Sequence, residues 1–368
     1  MAQDEYMPIR NWDYIEFYVG NARQAAHYYT TTFGFTPTAY AGLETGVRDR
    51  ASYVLEQGKI RLVLTSGLSG DSPISQHAAF HGDGVKDIAL EVPDAEKAYQ
   101  EALAHGARSA MEPTVTEDSF GRVRRSAIYT YGETIHSFIE RLDYAGPFMP
   151  GYRALETDAH TGKHRGVGLA AIDHCVGNVE LGKMDQWVKF YEDVLGFTQI
   201  IHFDDEAIST EYSALMSKVM QGGHGKIKFP INEPAQGRRK SQIQEYLDYY
   251  GGPGVQHVAL ITGDIVQTVR QMQAQGVQFQ PGLASYYDEL TDRVGKIDEN
   301  IDDLKELGIL VDRDDDGYLL QIFTRNVQDR PTVFFEVIQR KGARGFGEGN
   351  FKALFEAIER EQALRGNL

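Results

Sequence analysis

The chain has 368 residues, enough for two domains of ordinary size, and 42% hydrophobic with 24% charged residues is a globular composition too apolar for disorder. Its 53 acidic against 37 basic residues give a net charge of −16, which repels phosphate backbones and anionic lipid. Nucleic acid and membranes are therefore excluded as partners, and an anionic substrate needs a local cation. The one cysteine, Cys175, cannot form an internal disulfide, and "MAQDEYMPIR" has no apolar signal core, so the expectation is a cytoplasmic protein.

In chain order, "IEFYVGN" from Ile15 reads as a strand and turn, followed by an amphipathic helix, a Gly-Phe stop and the strand "TPTAY". "GDGVKDIALEVPDAEKAYQEALAHGA" then reads as a Gly turn, an alternating strand and a helix with an acidic start and a Gly end. Residues Ala145 to Gly168 are aperiodic with Gly and Pro, as in a linker. From Ile172 the order repeats, with "IDHCVGN", a helix ending in "LGF", the strand "TQIIHF" and later "GGPGVQHVALITGDIVQTVRQMQAQGV". This duplication predicts an α+β fold of four βαβββ modules in two domains, 1–150 and 151–368. A last helix carries Phe351, Leu354, Phe355 and Ile358 on one stripe, with Asn350 as its N-cap and Phe355 read as core packing.

Period-2 alternation places His174 with Ile172 and Val176, His257 with Val255, Ala259 and Ile261, and Glu336 with Phe334 and Ile338, all facing inward. A histidine on such a face is commonly a core residue, but a buried glutamate needs a cation or a raised pKa. The first half serves as a control, because the repeated phrase puts Phe17, Asp87 and, by a looser match, Phe138 at the same places. A fold that packs without His and Glu in one copy points to a metal site in the other. Two imidazoles and a carboxylate with open positions suit non-heme Fe(II); zinc with a water is the alternative, without an HExxH helix to support it. Cys175 faces the other side of its strand, as a buried inert thiol. "DRDDDG" imitates a calcium loop but has Phe323 where a glutamate is needed.

The phrases "IDHCVGNV", "FPINEP", "KSQIQEYL", "GVQHVALIT", "DGYLLQIFT", "RPTVFFEVIQR" and "GFGEGNFKALFEAIEREQALRGNL" stand in that order between Ala171 and Leu368. Together they resemble the 4-hydroxyphenylpyruvate dioxygenase family of the vicinal-oxygen-chelate superfold; the first half matches more weakly but in order. The resemblance implies one Fe(II) per subunit on His174, His257 and Glu336. It implies 4-hydroxyphenylpyruvate and O2 as substrates and homogentisate and CO2 as products, in tyrosine and phenylalanine catabolism. It further implies hydrogen-bonding pocket residues Ser213, Asn232 and Gln242, glutamines Gln256 and Gln321 near the iron, walls of Phe323 and Phe334, and a gate of Phe346, Asn350 and Phe351. Read from the residues alone, Asn232 also suits a turn, and Gln242 follows Ser241, which with Gln244 resembles a capping box.

Relatives of this kind imply a homo-oligomer, a dimer or tetramer, with the metal-free first domain free to make subunit contacts. The alternative is the sister activity, 4-hydroxymandelate synthase, with the same substrate and benzylic hydroxylation; the bulky Phe323 and Phe334 favour the dioxygenase. A sequestering protein of the same superfold is a third reading, which the retained His/His/Glu set argues against.

Overall fold

All four expected modules are present in the computed structural model, which describes residues 6–156, 166–203, 215–235, 239–282 and 284–367. The first is β1 (Asn11–Tyr18), α1 (Ala22–Phe33), β2 (Thr36–Ala41), β3 (Arg50–Gln57) and β4 (Ile60–Gly67). After α2 (Pro73–His81), the second is β5 (Gly84–Glu91), α3 (Ala95–Ala104), β6 (Ser109–Asp118), β7 (Gly121–Tyr129) and β8 (Ile135–Arg141). A short β9 (Arg153–Ala154) adds to the edge of β2.

The third module is β10 (Leu169–Asn178), α4 (Met184–Leu195), β11 (Thr198–Phe203), β12 (Leu215–Gly222) and β13 (Ile227–Pro234). Following α5 (Gln242–Tyr250), the fourth opens with β14 (Gly254–Thr262) and α6 (Ile265–Ala274). Three short helices, α7 (Ala284–Asp288), α8 (Leu290–Val294) and α9 (Ile301–Leu307), precede β15 (Leu310–Asp314), β16 (Gly317–Phe323) and β17 (Phe334–Lys341). The chain closes with α10 (Phe351–Leu364). None of the helices among the described residues is long and apolar enough to cross a membrane.

The Gly-Phe stops behave alike in both halves. Gly34 (φ 72°) and Gly196 (φ 67°) take the left-handed conformation that ends α1 and α4 and that a side chain disfavours. The strands form two curled sheets, ordered β6-β7-β8-β5-β1-β4-β3-β2-β9 and β11-β12-β13-β10-β14-β17-β16-β15. Their helix-facing sides merge into one core, where Phe335 of β17 meets Phe17, Tyr29 and Phe33 at ring distances of 6.1, 5.6 and 5.1 Å. Burying one such ring fully stabilises by about 1.5–3 kcal/mol. The concave faces hold smaller clusters, one around Tyr14, Val63, Ala89 and Ile139 and the other under α10.

Strict alternation fails in both histidine strands. Between Ile172 and His174, β10 advances two residues while its partner goes only from Leu260 to Ala259, so Asp173 is the extra residue of a β-bulge. Between Val176 and Gly177 the partner skips from His257 to Val255, making Gln256 the extra residue on β14. Ile172 and Val255, expected beside the histidines, therefore lie in the helix-side core, whereas His174, Val176 and His257 face the concave side.

The first half has the same shifts, between Trp12 and Tyr14 and between Glu16 and Phe17. Matched through them, Tyr14 opposite Ala89 stands where His174 stands opposite Ala259, and Asp87 stands where His257 stands. Phe17, which the repeated phrase set against His174, is instead a helix-side core residue. Phe138 is one as well: β8 pairs Ile135 with Asp87 as β17 pairs Phe334 with His257, so two residues further on Ser137 corresponds to Glu336. The phrase thus repeats three residues out of step with the structure.

Candidate metal centre

His174, His257 and Glu336 project from three adjacent strands, β10, β14 and β17, and are 3%, 7% and 3% exposed. Glu336 Oε2 lies 3.2 Å from His174 Nε2 and 3.3 Å from His257 Nε2. Each ring is held from behind by the residue that its bulge places next to it. His174 Nδ1 lies 2.8 Å from Asp173 Oδ2, and His257 Nδ1 lies 3.0 Å from Gln256 Oε1. Carboxylate and amide oxygens only accept, so both rings carry a proton on Nδ1 and turn Nε2 toward Glu336. His257 Nε2 is buried with no hydrogen-bond partner.

Asp173 is fixed in turn by Arg340, whose Nε and Nη2 donate at 2.8 and 2.7 Å. Burial opposes the Asp173 charge, but Arg340 and His174 outweigh it and hold the carboxyl well below its usual range. Burial likewise pushes Glu336 up, and the neighbouring imidazoles, His174 foremost, bring it down to about 2. For His174 burial favours the neutral ring, yet Glu336 and Asp173 together raise its pKa; for His257 burial prevails and lowers it. Two imidazole nitrogens and a carboxylate oxygen converging in a buried floor fit a divalent metal, which would take the place of the proton that otherwise lies between His174 and Glu336, and an N2O set of this kind suits iron or zinc.

The triad sits at the floor of a cavity under α10. Asn232, Gln242, Gln256, Phe323, Phe334, Phe346 and Phe351 all line it, as the resemblance implies. Asn232 is in strand β13 rather than in a turn, and Ser241 caps α5 by accepting from Gln244 N while Gln242 faces the cavity. The Phe334 ring stacks on His257 at 4.7 Å, and Phe346 meets His174 edge-on at 5.0 Å.

Two expected residues are not on the wall. Asn350 is buried with its Oδ1 accepting from the Tyr286 hydroxyl at 2.6 Å, and its side chain does not cap α10. Gln321 shares a strand face with Phe323 one pleat away, with Oε1 buried and unpartnered. Ser213 lies outside the described residues. Phe355, read as core packing alone, lines the cavity together with Leu354, Phe203 and Leu215. Asp173 and Arg340 also escaped the sequence reading; "IDH" beside "VQH" is the signal, legible only once the bulges are known.

The concave face of the first half carries a different cluster. Asp87, fully buried, accepts from Tyr14 Oη at 2.9 Å, from Ser137 N and Oγ at 3.0 and 2.6 Å, and from Arg125 Nη2 at 2.9 Å. Arg125, paired with Ile139, stands where Gln321 stands opposite Ile338.

Both halves of the chain match known families. Residues 4–149 match the family described as "Hydroxyphenylpyruvate dioxygenase, HPPD, N-terminal", and residues 171–322 match the "Glyoxalase/Bleomycin resistance protein/Dioxygenase superfamily". The chain is 48% identical to 4-hydroxyphenylpyruvate dioxygenase of Yarrowia lipolytica, over 98% of this chain and 94% of that one. It is 48% identical to the protein of the same name from Dictyostelium discoideum, over 98% of this chain and all (100%) of that one. A solved triple mutant of 4-hydroxymandelate synthase from Streptomyces coelicolor superposes with a TM-score of 0.85 at 35% identity, covering 97% of this chain and 100% of that one. With the dioxygenase relatives similar from end to end, the chain belongs to the 4-hydroxyphenylpyruvate dioxygenase family.

Proposed function

We propose that the protein is an Fe(II)-dependent dioxygenase converting 4-hydroxyphenylpyruvate and O2 to homogentisate and CO2. The observation that carries this reading is the cavity floor, where Glu336 Oε2 stands 3.2 and 3.3 Å from two imidazole Nε2 atoms beneath aromatic walls. The stoichiometry closes: the carboxyl carbon leaves as CO2, one oxygen of O2 enters the new carboxylate and the other becomes the ring hydroxyl. His174, His257 and Glu336 would hold one Fe(II) per subunit, which supplies electrons for O2 and a positive charge that draws a 2-oxo acid into a protein of net charge −16.

The chain's own residues do the rest. Asp173 and Gln256 keep a proton on each Nδ1, so that Nε2 remains a donor of its lone pair. Phe334, stacked on His257, and Phe323 form the wall against which a substrate ring rests. Asn232 and Gln242 offer polar groups to the substrate's oxygens from an otherwise apolar wall, with Ser213 assigned the same role by resemblance. Phe346, Phe351 and Phe355 cover the floor and exclude water from a site where O2 is reduced. Domain 151–368 is thus the catalytic part, and domain 1–150 is assigned a structural role with subunit contacts in a cytoplasmic homo-oligomer.

Protein loaded anaerobically with Fe(II) and 4-hydroxyphenylpyruvate, then exposed to O2, is expected to yield homogentisate. 4-Hydroxymandelate as the product would move the protein to the sister activity, and no turnover with iron bound would refute both.

A further inference from the structure

Metal-ligating side chains converge a second time, in the first half and outside the cavity. His77 and His81 stand four residues apart on α2, so their rings share one helix face with centroids 4.4 Å apart. Ser72 caps this helix by accepting from Ser75 N, and Pro73 opens it. Glu133, in the turn between β7 and β8, brings Oε2 to 3.9 Å from His77 Nε2 and 3.7 Å from His81 Nε2.

Both rings are buried, at 6% and 4% exposure, and three of their four nitrogens have no hydrogen-bond partner: both of His77 and Nε2 of His81. The fourth, His81 Nδ1, lies 2.6 Å from the Tyr250 carbonyl oxygen. A carbonyl only accepts, so His81 keeps its proton on Nδ1 and presents a lone pair on Nε2, oriented from behind as a metal-bound imidazole commonly is. Lys86 donates to the Glu133 backbone carbonyl rather than to its carboxylate.

We propose that His77, His81 and Glu133 form a second metal site, for a divalent d-block cation of the zinc type. Nitrogen and oxygen ligands at about 2.0–2.2 Å from zinc stand roughly 3.3 Å apart, so the Glu133 oxygen must move about half an ångström closer to the two Nε2 atoms. Glu133, with a side chain 59% exposed, can make that adjustment by rotation. A cleft lined by Tyr18, Lys86 and Arg108 leads to His77 and Glu133 from solvent and leaves a fourth position for a water or an anion.

The segment His77-Ala-Ala-Phe-His81 has the two-histidine spacing of zinc hydrolase helices, but alanine stands where the general-base glutamate is required, so the site is structural. Its position suits that role. His81 leans on Tyr250 at the end of α5, and Arg330 of the second half donates to the carbonyls of Ala79 and Phe80. A cation here ties the β7–β8 turn to α2 where the two halves meet.

Zinc stoichiometry measured by native mass spectrometry on the full chain separates the two sites. Wild type is expected to bind two zinc ions, Glu336→Ala one, Glu133→Ala one at micromolar zinc, and the double variant none. The second ion should also raise the melting temperature of the iron-loaded protein, and Glu133→Ala should remove that rise. One zinc in wild type, or two retained in both Glu133→Ala and His77→Gln, overturns the proposal. Glu133 is exposed enough for its variant to fold even where His77→Gln does not. Failure confined to Glu336→Ala would count against the catalytic triad and leave this site standing.

Discussion

The two concave faces are built on the same bulged strands and solve one electrostatic problem in opposite ways. In the first half the buried Asp87 is answered from within the chain: Arg125 brings a guanidinium to 2.9 Å, and Tyr14 and Ser137 supply neutral donors. In the second half, Gln321 takes the place of that arginine, and Glu336 faces two imidazole Nε2 atoms. With no tethered guanidinium there, that face is open to a cation from solution. What both halves keep identifies the scaffold. Asp13 pairs with Arg141 and Arg61 at 2.7 and 3.3 Å, as Asp173 pairs with Arg340 and Lys228 at 2.7 and 3.8 Å. Only in the second half does that scaffold aspartate also meet a histidine. A carboxylate with its own tethered cation makes a structural face; one lacking it makes a binding site.

This contrast can be broken at graded cost. The largest effect is expected from Glu336→Ala, which should abolish iron binding and turnover with the fold retained, whereas Phe138→Ala should lose about 3–5 kcal/mol of stability and keep its iron. Iron content and urea unfolding of the two variants decide this, and equal iron affinity in wild type and Glu336→Ala would refute the ligand assignment. Next, Arg125→Met leaves Asp87 buried without its cation and should cost on the order of 3 kcal/mol. Iron stoichiometry should not change; a variant as stable as wild type would show that the tethered guanidinium is dispensable. The smallest effect is expected at Asp173→Asn, which removes the charge behind His174 and should weaken iron binding about 10–100-fold. Asp13→Asn, its counterpart in the first half, should leave iron affinity unaltered, and equal losses in the two would mean that only folding is being measured.

His174, His257 and Glu336 are legible in the sequence because a polar side chain facing inward on an apolar strand is costly to bury unless something there binds it. They survive the failure of strict alternation because each bulge precedes its histidine rather than following it. The internal control holds in kind and fails in register: Tyr14, Asp87 and Ser137, not Phe17 and Phe138, are the metal-free counterparts. A bulge adds one residue without any mark in composition, so letters alone cannot locate it. Arg125 is equally hidden, since its role depends on which strand face it shares with Asp87. Asn350 and Phe355 show the limit of reading a helix stripe, because the direction from which α10 meets the cavity is set by tertiary packing.

The bulges have a mechanical consequence. Each joins a ligand to the group that orients it through a single peptide unit, so their separation is fixed by covalent geometry and not by the docking of distant segments. The proton positions on His174 and His257 are therefore independent of how α10 packs over the cavity.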